Sequence, residues 1–174
     1  ERYRAREPDG RGKDMSLARP IGSDHQLARL LQIGIVLEEV VEARAEKHVE
    51  VSEADLDPEV RSFLKDAAEE AADHRARLET LLAELDADTV AFDEIEPLVA
   101  ERYEADDDFD DVLYDQLCNE ETAYKFYEDL LAAIESSDAQ FRVDRDRLLS
   151  VLEGIKTEEK EDVERVTELM EERT

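Results

Sequence analysis

At 174 residues the chain has room for one domain with a real hydrophobic core and too little for two comfortable ones. Its formal charge of -28, from 50 acidic against 22 basic residues, disfavours nucleic acid and anionic lipid as partners, yet its 41% of hydrophobic residues exceeds what a disordered acidic tail carries. A single cysteine, Cys118, excludes an intramolecular disulfide and any iron–sulfur or zinc-ribbon site built within one chain.

Residues 1–22 read as a flexible arm, with Met15 inside it as a natural start, because ERYRAREPDGRGKD holds no apolar stretch like that of a signal peptide. Residues 23–174 read as one all-α domain: five Gly and four Pro separate long segments with apolar residues three and four apart. The first helix opens at Ser23 or Asp24 and runs to about Glu50. The second follows Asp57 as cap and Pro58 at the first helical position, and runs to about Leu85. The next stretch, DADTVAFDEIEPLVAERYEADDDF, lacks a sustained period and carries Pro97, so it reads as a long crossover with a short helix. A third helix spans roughly Asp108 to Ser136, and SSDAQ turns tightly into a fourth from Phe141 to Glu172. Two antiparallel helix hairpins joined by one long crossover make a four-helix bundle that is not the simple up-down-up-down form.

Stepping alternately by three and four residues traces the face of each helix that should be buried. The first gives Leu27, Leu31, Gly34, Glu38, Val41, Ala45 and His48, which Glu38 interrupts near its middle. The second gives Val60, Leu64, Ala67, Ala71, His74, Leu78, Leu81 and Leu85; His74 interrupts it, with Glu70 one turn earlier at the edge of the same face. The third gives Phe109, Leu113, Leu117, Glu120, Ala123 or Tyr124, Tyr127, Leu131 and Ile134, broken by Glu120. The fourth gives Leu148, Leu152, Ile155, Glu159, Asp162, Val166 and Leu169, broken by two acids three apart.

Each interruption lies near the midpoint of its helix, so antiparallel packing brings the five groups to one level. Four ionised carboxylates left unpaired in a dry core would cost several kcal/mol each, so they are protonated, paired or metal-bound. No Lys or Arg occupies these positions. Oxygen donors with one imidazole suit iron or manganese, with zinc as a further option. Taken singly, a Glu on such a stripe is more often a helix-edge residue with its head group in water; four interruptions at matching depth favour a buried cluster. His25 and His48 read as surface or capping groups, Tyr124 and Tyr127 as core aromatics with a polar tip, Tyr127 within reach of the cluster, and Cys118 as an inert buried thiol. Serine-hydrolase elbows, P-loops and dinucleotide glycine motifs are absent.

From Ser23 onward the pattern resembles the ferritin-like superfamily, closest to its rubrerythrin-like branch without a rubredoxin domain. That superfamily takes one Glu from each of two helices and a Glu-x-x-His pair from each of the other two. LEEVVEARA (37 to 45) also aligns with NEETAYKFY (119 to 127), superposing Glu38 on Glu120 as in an old duplication. The resemblance implies metal ligation by Glu38, His74, Glu120 and Glu159. It is broken where Asp162 stands in place of a histidine, and where Ala71 stands in place of a bridging glutamate that Glu70 could replace.

The implied cofactor is iron, one or two ions, or manganese, and the implied activity is a non-haem di-iron oxidoreductase or peroxidase acting on peroxide or dioxygen, or iron handling. Electrons would come from an external donor or from Fe(II), and the partner is a second copy in a homodimer or higher homo-oligomer. The alternative is a metal-free structural or partner-binding module with a degenerate site. Arg outnumbers Lys by 16 to 6, which with the acidic excess fits a salt-filled cytoplasm such as a halophilic archaeon's, and neither nucleic acid nor membrane is an expected partner.

Overall fold

Asp57 and Pro58 open a helix for separate reasons. The Asp57 carboxylate accepts the Glu59 backbone N–H at 2.8 Å, and Pro58 has no N–H to leave unsatisfied in the first turn. In a computed structural model of the chain, which describes residues 21–51, 56–90 and 111–174, this helix is the second of four among the described residues. They are α1 (Asp24–Val51), α2 (Pro58–Glu84), α3 (Val112–Glu135) and α4 (Arg145–Glu171). No strand occurs among the described residues, and no helix among them is long and apolar enough to cross a membrane.

The starts of α1 and α2 fall where their caps predict. α3 begins at Val112, because Asp111 accepts the N–H groups of Leu113 and Tyr114 at 3.0 and 3.3 Å; the expected start at Asp108 lies outside the described residues. α4 begins at Arg145 rather than Phe141, since Phe141 and Val143 are apolar for another reason: both pack into the core from the connection after α3. Residues 91–110, where the short crossover helix is expected, lie outside the described residues, as do 1–20 of the expected arm. Ile21 is buried in the core and its carbonyl accepts the Ser137 hydroxyl.

Contacts between helix ends fix their directions. Asp24 at the start of α1 accepts the N–H of Asp86, just past α2, at 3.0 Å, and that of Arg142, just before α4. Arg145 of α4 donates to the Ile134 carbonyl near the end of α3 at 2.8 Å. At the far end, Arg173 pairs with Asp57 at 3.1 Å, and Leu113 packs with Val166 and Leu169. α1 is therefore antiparallel to α2 and to α3, and α4 to α3 and to α2. The end of α2 and the start of α3 lie at opposite ends of the bundle, about 40 Å apart for helices of this length.

The core divides into two apolar clusters. One joins Leu27, Leu31 and Ile35 with Leu78, Leu81, Leu130, Ile134, Leu148, Leu152 and Ile155. The other joins Val60, Phe63 and Leu64 with Leu113, Val166 and Leu169. Each fully buried aliphatic side chain contributes about 1.5–3 kcal/mol. Between the clusters on every helix lies a level of polar side chains.

Candidate metal centre

Glu38, His74, Glu120 and Glu159 occupy that level, one from each helix, and none is more than 2% exposed. Burial follows from helical register: on α4, Glu159 stands four residues after Ile155 and seven before Val166, so the periodicity that buries its neighbours buries it too. Asp162 and Glu70 are half-buried one turn along their helices.

His74 is the hub. Its Nδ1 lies 3.0 Å from Glu159 Oε1 and 3.3 Å from Glu38 Oε1; its Nε2 lies 2.6 Å from Glu158 Oε2 and 3.5 Å from Glu70 Oε1. Three groups can each present ligand atoms lying within 4.8 Å of one another: Glu38 with His74 and Glu159, Glu120 with Glu159 and Asp162, and Glu70 with His74 and Glu158. All six residues expected from the sequence thus come together. Glu70 leans in toward Asp162, but on the Nε2 side of the ring, away from Glu38, with Ala71 buried beside it.

Further contacts hold the acids in place. The Tyr127 hydroxyl donates to Glu38 Oε1 at 2.5 Å, and Gln116 Nε2 donates to Glu120 Oε1 at 2.6 Å. Arg77 donates to Glu158 Oε1 at 3.1 Å. Buried oxygens are nevertheless left over. Glu38 Oε2, Glu159 Oε2, Glu70 Oε1 and Gln116 Oε1 have no hydrogen-bond partner among the described residues, and each such atom costs about 1–3 kcal/mol if left so.

Crowding acids out of water moves their proton affinities. Burial, then the neighbouring Asp162, pushes Glu70 up to about 10. Burial pushes Glu120 up to about 7 and raises Asp162, and burial with Glu38 and Glu120 nearby raises Glu159 well above the usual carboxylate range. For His74, burial alone would disfavour the imidazolium, but Glu38 and Glu158 outweigh it and raise its pKa. A group of acids with raised proton affinity and orphaned oxygens around one imidazole is a site that stabilises added positive charge, as protons or as a metal ion.

Several residues stand where the sequence does not place them. Glu158 reads as part of a solvated charge run but touches His74. Gln116 and Asn119 are buried, which the stripe through Leu117 misses; the spacing Leu113, Gln116, Glu120, Ala123, Tyr127 finds Gln116. His48, expected at the surface, is buried 2.6 Å from Asp115, whose other oxygen takes Arg44 at 2.6 Å. Asp115 in turn falls below its ordinary value, because these two donors outweigh its burial. Cys118 is exposed rather than buried, since it points away from the face that carries Glu120, and Tyr124 is half-buried at the rim rather than in the core. His25 is exposed, as expected.

No protein-family model, no curated protein and no solved structure matches the chain.

Proposed function

We propose that this protein is a metal-binding four-helix bundle of ferritin-like type, holding iron or manganese between its two hairpins. The observation that carries the reading is the orphaned oxygens of Glu38 and Glu159, on side chains 0% and 2% exposed, around His74. Four helices would not converge buried acids at one depth and leave their oxygens unpaired unless something positive sat among them.

The residues fit the ion. Glu38, Glu120, Glu159 and Asp162 carry four negative charges when ionised, which two divalent ions would balance, and His74 supplies a nitrogen donor of the kind that iron, manganese and zinc all accept. Iron or manganese held there supplies one-electron redox chemistry toward dioxygen or peroxide. The chain's own part is legible in its contacts. Glu158 accepts from His74 Nε2, which turns Nδ1 toward Glu38 and Glu159. Tyr127 and Gln116 hold Glu38 and Glu120, and the flanking leucine clusters exclude water. That α2 ends and α3 begins at opposite ends of the bundle supports the single-crossover topology.

A second reading rests on His74 alone. An imidazolium between acids on both ring nitrogens, with protons on Glu70 and Glu159, closes the cluster without metal and leaves a structural module. One experiment separates the two. Protein purified without chelator, and after anaerobic Fe(II) or Mn(II) loading and desalting, is expected to retain one to two equivalents of metal by elemental analysis, with Glu159→Ala losing most of it. Retention below about a tenth of an equivalent in the wild type selects the metal-free module.

A further inference from the structure

A second ionic network lies outside the cluster, between α1 and α3. Asp115 of α3 accepts Arg44 Nη2 at 2.6 Å on Oδ1; its Oδ2 lies 2.6 Å from His48 Nε2 and accepts Arg44 Nε at 3.3 Å. Asn119, one turn along α3, donates its amide N–H to the same Oδ2 at 3.3 Å. His48 and Asn119 are buried, and Arg44 and Asp115 are mostly so. For stability alone such a network is a poor choice: taking charges out of water can cost as much as their attraction returns, and apolar side chains of similar volume do as well or better. What it supplies is register, because a slip of either helix leaves buried charges without partners. We propose that Arg44, His48 and Asp115 are positioning residues, which fix α1 against α3 so that Glu38 and Glu120 meet at one level and present their carboxylates to the same ions. The proposal rests on the metal-binding reading above.

Placement carries this role. Arg44 and His48 stand six and ten residues after Glu38, and Asp115 five before Glu120, so in the antiparallel pair the network lies to one side of the cluster, on the order of 10 Å along the axis. On the other side α1 meets α3 where Gly34 faces Phe126, an apolar contact and therefore a non-directional one. The network's own end of the bundle has little apolar packing to hold α1. Among the described residues, the buried members of the cluster there, Val60, Phe63, Leu64, Leu113, Val166 and Leu169, come from α2, α3 and α4, and α1 adds only the half-buried Val49. Tyr127 of α3 does reach Glu38, but that hydrogen bond is made to the group being positioned. The directional hold on α1 at this end is Asp115, which grips it at two residues one turn apart.

The test uses the full chain, stripped with chelator and titrated with Co2+ at neutral pH, whose visible absorption reports both occupancy and ligand geometry. Arg44→Met, His48→Leu, Asp115→Leu and Asn119→Leu, made together, remove the donors and the acceptor of the network at once. This quadruple variant is expected to melt at or above the wild-type temperature, since apolar groups replace a buried ionic network. It is nevertheless expected to bind Co2+ about tenfold or more weakly, with a shifted or broadened absorption band. His48→Gln, whose amide N–H can still donate to Asp115, is expected to keep wild-type affinity and band, whereas Asp115→Asn, which keeps size and loses the charge, loses affinity. A quadruple variant with wild-type affinity and spectrum overturns the positioning role and leaves metal binding intact, as does His48→Gln losing as much affinity as Asp115→Asn. Wild-type protein that binds no Co2+, Mn2+ or Fe2+ overturns the metal-binding reading and this one with it. Circular dichroism of each variant identifies misfolding, and if the quadruple variant does not fold, His48→Gln against Asp115→Asn decides.

Discussion

His74 and its acids set how the metal-free protein responds to pH. Glu120 titrates near 7 and Glu70 near 10 in the folded chain, both above the ordinary glutamate value, and His74 is also raised. The folded state therefore holds protons that the unfolded chain has released, so stability is fully present below the unfolded values and is lost as pH rises through the folded ones. For Glu120 the slope approaches about 1.4 kcal/mol per pH unit between the two values; Glu70, partly open to solvent, contributes less than its shift implies. The urea midpoint of chelator-treated protein is expected to fall between pH 5 and pH 9, and Glu120→Gln to flatten the part below about pH 7. A midpoint that rises across this window contradicts the raised values. Asp115, whose value is lowered, acts only at more acid pH. Five of the six cluster residues could be read from the sequence because helical period forces a residue on the stripe inward whatever its charge. Glu70 came only as an edge residue, and Glu158 stayed hidden because it reaches His74 around the side of α4, a matter of side-chain length that no period encodes.

At Gly34 of α1 a Cβ would stand 3.0 Å from Phe126 Cε1 and 3.1 Å from Leu78 Cδ1. Helix propensity favours Ala over Gly there by up to about 1 kcal/mol, a local cost that the close packing with α2 and α3 offsets. Gly34→Val is expected to destabilise the bundle by about 1–3 kcal/mol through overpacking, with a smaller effect for Gly34→Ala, whose one methyl competes with the propensity gain. Equal urea midpoints for wild type and Gly34→Val would show that Phe126 and Leu78 give way freely. Element by element, the helices were readable where a cap and a period agree, as at Asp57 and Pro58. They were misread where apolar residues serve the core from outside a helix. Phe141 and Val143 extend the apparent period of α4 by a turn, and only tertiary packing distinguishes a loop residue in the core from a helical one.

Across the whole molecule, 22 basic residues cannot pair 50 acidic ones, and some of the pairs that form between helices, such as Arg165 with Glu59 and Arg147 with Glu84, lie at the surface, where each contributes about 0–1 kcal/mol. The remaining acids repel one another, and folding brings them closer together than they are in the expanded chain. Salt weakens that repulsion: the screening length falls from about 10 Å at 0.1 M to about 3 Å at 1 M. Thermal unfolding of this protein is therefore expected to shift upward from 0.1 M to 2 M KCl, by an amount on the order of 10 °C, given that each 1 kcal/mol moves the midpoint of a domain this size by about 2–4 °C. Chloride is the proper anion, because sulfate stabilises most proteins by exclusion from their surface. The buried cluster offers an internal control. Glu38, Glu120 and Glu159 are shielded from bulk ions by the two apolar clusters, so the rise with KCl should be nearly alike in chelator-treated and metal-loaded protein, whereas the fall with pH should shrink once metal has displaced the protons. A melting temperature that stays level or drops between 0.1 M and 2 M KCl would mean that surface repulsion is not what limits this fold.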